Sequence, residues 1–264
     1  MKYGIDHVGD IAILNFQVSY QYLMRKFVAW KVLKDKNTNV VLEKKGIISG
    51  ELRKTTLNHL AGEKRTDTVH NENGCKFYMD VAETYFSPRL SNERRVICEE
   101  IAKNIKKTDR VLVMFAGVAP FPIVLGRMLK LSKIKAKVVS SELNKMASEY
   151  AEKNVLMNKL EDYVKVVEGD SRKLKEGKFE CIIMARPNLE ETFLGAALKF
   201  SKKGTKIYYY GFGTEEKVLE EIKKDAGKPT RGTPKGAKIG KIKIRKAGDI
   251  APGKWRWLAE FSVR

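Results

Sequence analysis

The chain contains few cysteines and few histidines. Its 264 residues include three of each, and Cys75, Cys98 and Cys181 form no C-x-x-C pair. Three scattered thiols argue against a disulfide framework, and with so few histidines they do not suggest a metal site. We therefore expect reduced thiols that are buried or partly buried, and a cytoplasmic location.

Acidic residues are scarce relative to basic ones. The 32 Asp and Glu residues against 52 Lys and Arg residues give a formal net charge of +20. Such a surplus favours a polyanionic partner, with nucleic acid ahead of an anionic membrane surface. The alternative is the lysine-rich composition of an organism adapted to heat or salt. No apolar run approaches the roughly 20 residues of a membrane span, and the first residues lack a secretory signal pattern, so we expect no membrane association.

From residue 109 onward, strand and helix patterns alternate. Strand candidates lie at 111–115, 137–140, 164–167, 181–184 and 206–210, and helix candidates at about 120–131, 144–157, 189–200 and 214–225. This alternation predicts an α/β fold with a parallel, doubly wound sheet and ligands at the carboxyl ends of its strands. Two further strand candidates, 241–245 and 255–263, have no clear helix between them and predict a terminal antiparallel hairpin.

The first third of the chain has a different pattern. Short strand candidates separated by glycines, with one helix candidate before residue 33, predict a small α+β domain over residues 1–88. Pro88 breaks the chain, and a helix from Ser91 to about Asn104 would carry Arg94 on its exposed side. The segment 228–243, rich in Lys, Gly and Pro, is interpreted as a mobile basic loop or a solvated linker.

Three strand ends carry residues suited to a nucleoside cofactor. Gly117 follows the first strand of the alternating region and lets backbone approach a ligand closely. Glu142 follows the second strand, where a carboxylate can accept hydrogen bonds from a ribose, and Asp170 follows the third. The series predicts a nucleoside cofactor, with S-adenosylmethionine as the first choice.

Six blocks of sequence stand out along the chain: GDIAI at 9–13, GELR at 50–53, AGEKRT at 61–66, HNENG at 70–74, YFSPRLSNER at 85–94 and MFAG at 114–117. In this order they closely resemble the archaeal and eukaryotic-type tRNA guanine-37 N1-methyltransferase family and its sister, the wybutosine-pathway aminocarboxypropyltransferase. The resemblance implies a Rossmann-like class I methyltransferase sheet with helices on both faces over residues 89–264, preceded by an RNA-binding domain over 1–88. It also implies S-adenosylmethionine as cofactor, the anticodon arm of tRNA as partner, and a monomer.

The family's reaction requires a base, because N1 of guanine carries a proton at neutral pH and a carboxylate must remove it. By resemblance, Glu93 is the general base, Arg53 stabilises charge on O6 and Tyr85 lies near the target base. Each residue also has a purely structural interpretation: Glu93 as a helix-capping carboxylate, Arg53 as a phosphate or surface contact, and Tyr85 as part of the core.

The resemblance also assigns binding residues. Those expected at the cofactor are Phe115, Ala116, Gly117, Glu142, Asp170, Met184 and Pro187. Those expected at the substrate are Arg89 and Arg186, although a surface position for Arg186 explains its presence equally well.

The chain departs from the family pattern at several positions. Val113 replaces an acidic residue, and Ala119 replaces a loop glycine, which narrows the approach to the cofactor if that position needs a positive φ. Ala185 replaces an Asn that helps to hold the target guanine. The segment 250–255, IAPGKW, resembles the sister family. The family's separate N-terminal domain is not recognised in this sequence.

These departures keep three hypotheses open. The first is methylation of guanine-37 N1, or of a wyosine-type derivative of that base. The second is transfer of the aminocarboxypropyl group from the same cofactor. The third is a non-catalytic RNA-binding relative of the family. Salt-dependent tRNA binding is expected under all three and does not discriminate among them.

Overall fold

The computed structural model describes residues 3–16, 22–49, 54–226, 238–251 and 254–264. The first part of this range is a four-stranded sheet of order β1-β2-β3-β4 with a helix on one face. Its elements are β1 (Tyr3–Val8), β2 (Ile11–Phe16), α1 (Tyr22–Leu33), β3 (Val40–Ser49) and β4 (Lys54–Gly62). Strands β2 and β3 are parallel, since α1 joins them as a crossover, and the other neighbouring pairs are antiparallel.

Alternate residues of this small sheet enter different cores, as the two-residue period of a strand requires. Leu14 packs in a cluster with Val28 and Ala29 of α1. Ile11 and Val40 belong instead to the large core shared with the rest of the molecule. The small sheet is therefore enclosed between its own helix and the following part of the chain.

A β-hairpin follows, formed by β5 (Asp67–Glu72) and β6 (Cys75–Asp80). Its turn is Asn73-Gly74, where both residues have positive φ (51° and 71°), the conformation that suits a tight hairpin. The side chain of Asn154, on a later helix, accepts from the Tyr78 backbone N–H at 2.7 Å and donates to the Tyr78 carbonyl at 3.0 Å. These paired bonds fix the hairpin to the larger unit.

The larger unit is a seven-stranded sheet of order β12-β13-β11-β10-β7-β8-β9. Its elements are α2 (Ser91–Asn104), β7 (Arg110–Met114), α3 (Pro120–Leu131), β8 (Lys137–Glu142), α4 (Lys145–Met157), β9 (Val164–Glu168), β10 (Phe179–Met184), α5 (Leu194–Lys199), β11 (Ser201–Gly213), α6 (Glu215–Ala226), β12 (Lys243–Ala251) and β13 (Lys254–Ser262). The pairs from β9 to β11 are parallel, and β13 is antiparallel to both of its neighbours.

Helices cover both faces of this sheet. Val111 and Val113 of β7 share a core with α2, α3 and α4, whereas Leu112 and Met114 share another with α5 and α6. Because β8 lies on one side of β7 and β10 on the other, the strand order reverses at β7. In such sheets, ligands bind at this reversal, outside the carboxyl ends of the strands.

The predicted fold class is confirmed, including the parallel sheet, its flanking helices and the antiparallel hairpin. Strand β1 was not predicted, because only Val8 in it is buried and it contains no apolar run. Helix α5 begins at Leu194 rather than at 189, since Phe193 has a left-handed φ of 57°. Within the described residues, no helix has the length and apolar character needed to cross a bilayer.

The prediction of an exposed Arg94 is wrong. Its side chain is 2% exposed and forms a double hydrogen bond with Glu72 of the hairpin, with Nε 2.6 Å from Oε1. The guanidinium also lies over the Phe86 ring, 5.0 Å from its centroid. Helix α2 is therefore covered by the hairpin on the side that the sequence pattern assigned to solvent. The domain boundary at residue 88 stays a prediction.

Candidate active site

A cleft lies at the carboxyl ends of β7 and β8, where the strand order reverses. Six residues predicted from the sequence line it: Tyr85, Phe115, Ala116, Gly117, Glu142 and Pro187. The structure thus brings together side chains and backbone from four separate chain segments, at the edge of the sheet where an α/β fold binds ligands.

The loop from β7 to α3 forms one wall of the cleft. Phe115, Gly117 and Ala119 have positive φ values of 59°, 58° and 66°. Gly117 adopts this conformation without strain, and a Cβ there would lie 3.5 Å from the Tyr85 carbonyl, on the cleft side. The position of Ala119 does require a positive φ, which costs a non-glycine residue roughly 1–2 kcal/mol.

Glu142 ends β8 and fixes this loop. One carboxylate oxygen accepts from the Gly117 backbone N–H at 2.7 Å, and the other accepts from the Asn144 backbone N–H at 2.9 Å. A carboxylate has about four acceptor positions, so each oxygen retains capacity for another donor. The two hydroxyls of a ribose are such donors, and the residues present therefore fit a nucleoside.

Two residues predicted to bind the cofactor, Asp170 and Met184, do not line the cleft. The Asp170 carboxylate accepts from the Arg172 backbone N–H at 2.8 Å and pairs with the Arg172 guanidinium. Burial opposes ionisation, but the Arg172 bonds outweigh it and hold the pKa of Asp170 below its usual value. Met184 is fully buried at the end of β10. Contact of either residue with the cofactor stays a prediction.

A second cavity adjoins the cleft and shares residues Tyr85, Leu90, Phe121 and Ala185 with it. Glu93, in the first turn of α2, lines this cavity. Its carboxylate accepts one hydrogen bond from the Tyr210 hydroxyl and two from the Arg245 guanidinium, all at 2.9 Å. The carboxylate is therefore held in one orientation, in a cavity that Arg186 and Arg256 also line.

The two partners of Glu93 are in fixed protonation states. Burial, together with the charge of Glu93, raises the pKa of Tyr210 well above its usual value, so this hydroxyl remains a donor. Burial opposes the charge on Arg245, but the bonds to Glu93 outweigh it and raise the pKa of that guanidinium. Both groups thus donate to Glu93 across the physiological pH range.

The predicted substrate arginines both have partners within the protein. The Arg186 guanidinium is buried, bonds to the Tyr209 hydroxyl, and donates to the Leu189 carbonyl at 2.6 Å. The exposed Arg89 donates to Asp6 of β1 at 2.6 Å. Their roles in substrate binding stay predictions. Arg53 lies outside the described residues, as does most of the basic segment 228–243.

Several site residues were not found from the sequence. Asn144 caps α4 and lines the cofactor cleft, while Tyr210, Arg245 and Arg256 belong to β11, β12 and β13 around the second cavity. Tyr210 ends a strand candidate that the sequence did predict, so its place at the ligand edge could have been inferred. Nothing in the sequence indicated Arg245 or Arg256, because they reach the site only through the pairing of the terminal hairpin.

The strand order, the glycine loop after β7 and the carboxylate after β8 define a class I, S-adenosylmethionine-dependent methyltransferase. A comparison with protein families agrees: residues 68–231 match the TRM5/TYW2 methyltransferase domain. The chain belongs to the TRM5/TYW2 methyltransferase family. The family and the cofactor predicted from the sequence are therefore confirmed.

The chain is similar to the tRNA (guanine(37)-N(1))-methyltransferase Trm5b of Pyrococcus abyssi, with 34% identity over 264 residues, covering 98% of this chain and 74% of the relative. It spans 62% of the corresponding Trm5b of Methanocaldococcus jannaschii. A structure of aTrm5 in complex with tRNALeu superposes with a TM-score of 0.84 at 30% identity, covering 99% of this chain and 72% of that one. The structure of M. jannaschii TYW2 in complex with AdoMet superposes with a TM-score of 0.68 at 26% identity, covering 99% of this chain and 100% of that one.

Proposed function

We propose that this protein transfers the methyl group of S-adenosylmethionine to N1 of guanosine at position 37 in the anticodon loop of tRNA. The observation that carries this proposal is the position of Glu93. Its carboxylate lies in a cavity that shares four wall residues with the cofactor cleft. An acceptor for a proton therefore adjoins the place where a nucleoside cofactor fits.

The reaction needs proton removal because the N1 lone pair is unavailable while N1 is protonated. S-adenosylmethionine supplies the methyl group on a sulfonium centre. Glu93 is proposed to accept the N1 proton, with Tyr85 and Phe121 as apolar walls for a base that has left its stack. Arg53 is proposed to stabilise the charge that develops on O6.

The cofactor end is proposed to use groups that the structure already orders. Glu142 would accept from the ribose hydroxyls, and Gly117 would allow close approach of the loop backbone. Phe115 would face the cofactor from a ring position fixed by an edge contact with Phe193, whose centroid lies 4.9 Å away. Asp170 would contribute from the end of β9 only after releasing part of its contact with Arg172.

A tRNA substrate suits the charge of the molecule. The formal net charge of +20 provides sequence-independent attraction to phosphates. Binding of the anticodon arm, by residues 1–88 together with the catalytic domain 89–264, belongs to this proposal. So do the monomeric state and the cytoplasmic location.

The test is incubation of the purified protein with tRNA and methyl-labelled S-adenosylmethionine, followed by digestion to nucleosides. We expect labelled 1-methylguanosine from a transcript with guanosine at position 37. A transcript with adenosine at that position is the matched control and should yield none. Absence of label in both 1-methylguanosine and methylated wyosine-type nucleosides would contradict the proposal.

The sister reaction, aminocarboxypropyl transfer, is the second candidate. It is favoured by the IAPGKW segment at 250–255 and by Ala185, which lines both cavities without a polar group. Cofactor labelled in the methionine carbons would transfer its label to tRNA, with methylthioadenosine as by-product. If neither label is transferred and calorimetry detects no cofactor binding, the non-catalytic RNA-binding interpretation is correct.

A further inference from the structure

The two carboxylate oxygens of Glu93 accept different numbers of hydrogen bonds. Oε1 accepts from the Tyr210 hydroxyl and from Nη2 of Arg245, both at 2.9 Å, whereas Oε2 accepts only from Nη1 of Arg245, at 2.9 Å. Each carboxylate oxygen has about two acceptor positions. Oε1 is therefore saturated, and Oε2 retains one position.

The surroundings make this arrangement rigid. The Glu93 side chain is 11% exposed. A bidentate arginine fixes the plane of a carboxylate as well as its place. Arg245 comes from β12 and Tyr210 from β11, two strands separated in the sheet by β13, so the two donors approach from independently anchored parts of the fold.

We propose that Arg245 and Tyr210 are positioning residues that present Oε2 of Glu93 as the atom that accepts the N1 proton. This inference rests on the proposed function. The N1–H bond breaks, an O–H bond forms at Oε2, and the electron pair left on N1 becomes available to the methyl group. The proton afterwards passes from Oε2 to water. Without the arginine, only the Tyr210 bond to Oε1 remains, so the plane of the carboxylate is no longer fixed and Oε2 is no longer directed at the base.

The cost of losing this orientation is set by geometry. A misplacement of about 1 Å in a reacting group can lower a rate by roughly 100-fold. Arg245 holds both oxygens, so Arg245→Gln should have a large effect. Tyr210 holds only the oxygen that does not react, so Tyr210→Phe should have a smaller one. Neither residue touches the transferred group, and binding of tRNA and cofactor should change little.

The experiment is a double-mutant cycle on the rate of methyl transfer under single-turnover conditions, with residues 1–264 and saturating tRNA and cofactor. Arg245→Gln should slow transfer by roughly 10- to 100-fold and Tyr210→Phe by roughly 2- to 10-fold, with the separately titrated dissociation constant for tRNA within about threefold of the unmodified value. In a Glu93→Gln background, adding Arg245→Gln should cost less than about twofold, because the group it positions is already absent. Arg245→Lys, which keeps the charge but not the bidentate geometry, should recover part of the rate.

Arg95→Gln is the matched control, since Arg95 lies on the same helix and pairs with the exposed Glu99. It removes one positive charge outside the cavity and should leave the rate unchanged. Thermal unfolding and cofactor titration establish that each variant is folded; if Arg245→Gln does not fold, Arg245→Lys is used in the cycle.

The outcomes are distinguishable. An unchanged rate in Arg245→Gln, or losses in Arg245→Gln and Glu93→Gln that multiply, would overturn the positioning role while leaving the proposed function intact. Absence of 1-methylguanosine with the unmodified chain would overturn both.

Discussion

Two of the ion pairs on helix α2 involve the adjacent residues Glu93 and Arg94, and they differ in how far water reaches them. Arg94 pairs with Glu72, and both side chains are nearly inaccessible, 2% and 3% exposed. Glu93 pairs with Arg245, whose side chain is 41% exposed, beside a cavity. Side chains at neighbouring positions on a helix point about 100° apart. Arg94 therefore contacts the hairpin, while Glu93 faces the second cavity.

The two pairs have different physical consequences. Removing one partner of a buried ion pair strongly destabilises the fold, because the remaining charge is in contact with neither water nor an opposite charge. A pair at a cavity is partly hydrated, and its contribution to folding is smaller. We therefore infer that Arg94 and Glu72 hold the structure together, whereas Glu93 and Arg245 chiefly serve the chemistry. The following predictions test that contrast.

Arg94→Met should have the largest effect, on stability. It leaves Glu72 buried without its main cation, and breaking such a pair costs about 3–5 kcal/mol. Urea unfolding measures this loss. The double variant Glu72→Met, Arg94→Met should regain most of it, since an apolar pair of similar size needs no desolvated charge. A loss below about 1 kcal/mol in Arg94→Met would show that the buried pair is not structural.

Glu93→Gln should have the next largest effect, on activity. Removal of a general base slows transfer by roughly 100-fold or more, equivalent to about 2.7 kcal/mol in the barrier. Cofactor affinity should stay within about twofold, and urea stability within about 1 kcal/mol, because the amide can still accept from Tyr210 and Arg245. If this variant loses several kcal/mol of stability and little activity, the two pairs do not differ as proposed.

The variant Ala119→Gly tests whether the backbone strain at this positive-φ position can be removed without loss of structure. At a φ of 66°, glycine avoids the cost that alanine incurs, so the free energy of unfolding should rise by about 1 kcal/mol. Ala151→Gly, in the interior of α4 and outside the cleft lining, is the matched control and should lower it by about 1 kcal/mol. Equal changes of one sign in both variants would exclude relief of backbone strain.

The smallest effect concerns pH. Burial raises the pKa of Glu72, but bonds from His70 and Arg94 outweigh this and hold it below its ordinary value of 4.5. A depressed pKa in the folded state contributes stability above that value, and the contribution is lost as the pH falls below it. Glu72→Gln should therefore lose less free energy of unfolding between pH 7 and pH 3 than the unmodified chain does. A parallel loss in the two proteins would assign the acid sensitivity to other groups.

The sequence predicted the parts of the molecule that are contiguous along the chain. Apolar runs identified the parallel strands. Because Gly117 and Glu142 lie at the ends of two such strands, they were predicted to lie close together, and the Gly117 N–H does donate a hydrogen bond to Glu142. The contacts of Arg94 were missed because they depend on how the hairpin packs on α2. Arg245 was missed because it lies 152 residues from Glu93, and only the terminal hairpin brings it there. The strand patterns predicted this hairpin, but they carry no information on its pairing with β11, which places Arg245 near Glu93.

Arg245 belongs to the terminal hairpin of β12 and β13, which is synthesised after the rest of the sheet. The parts of the site are therefore completed at different times during synthesis. The last residue of the cofactor cleft is Pro187, and Arg245 is translated 58 residues after it. At about 5–20 residues per second, this interval lasts on the order of 10 s. A nascent chain could therefore form its nucleoside-binding loop well before Glu93 acquires its partner, and so could bind the cofactor before it can react.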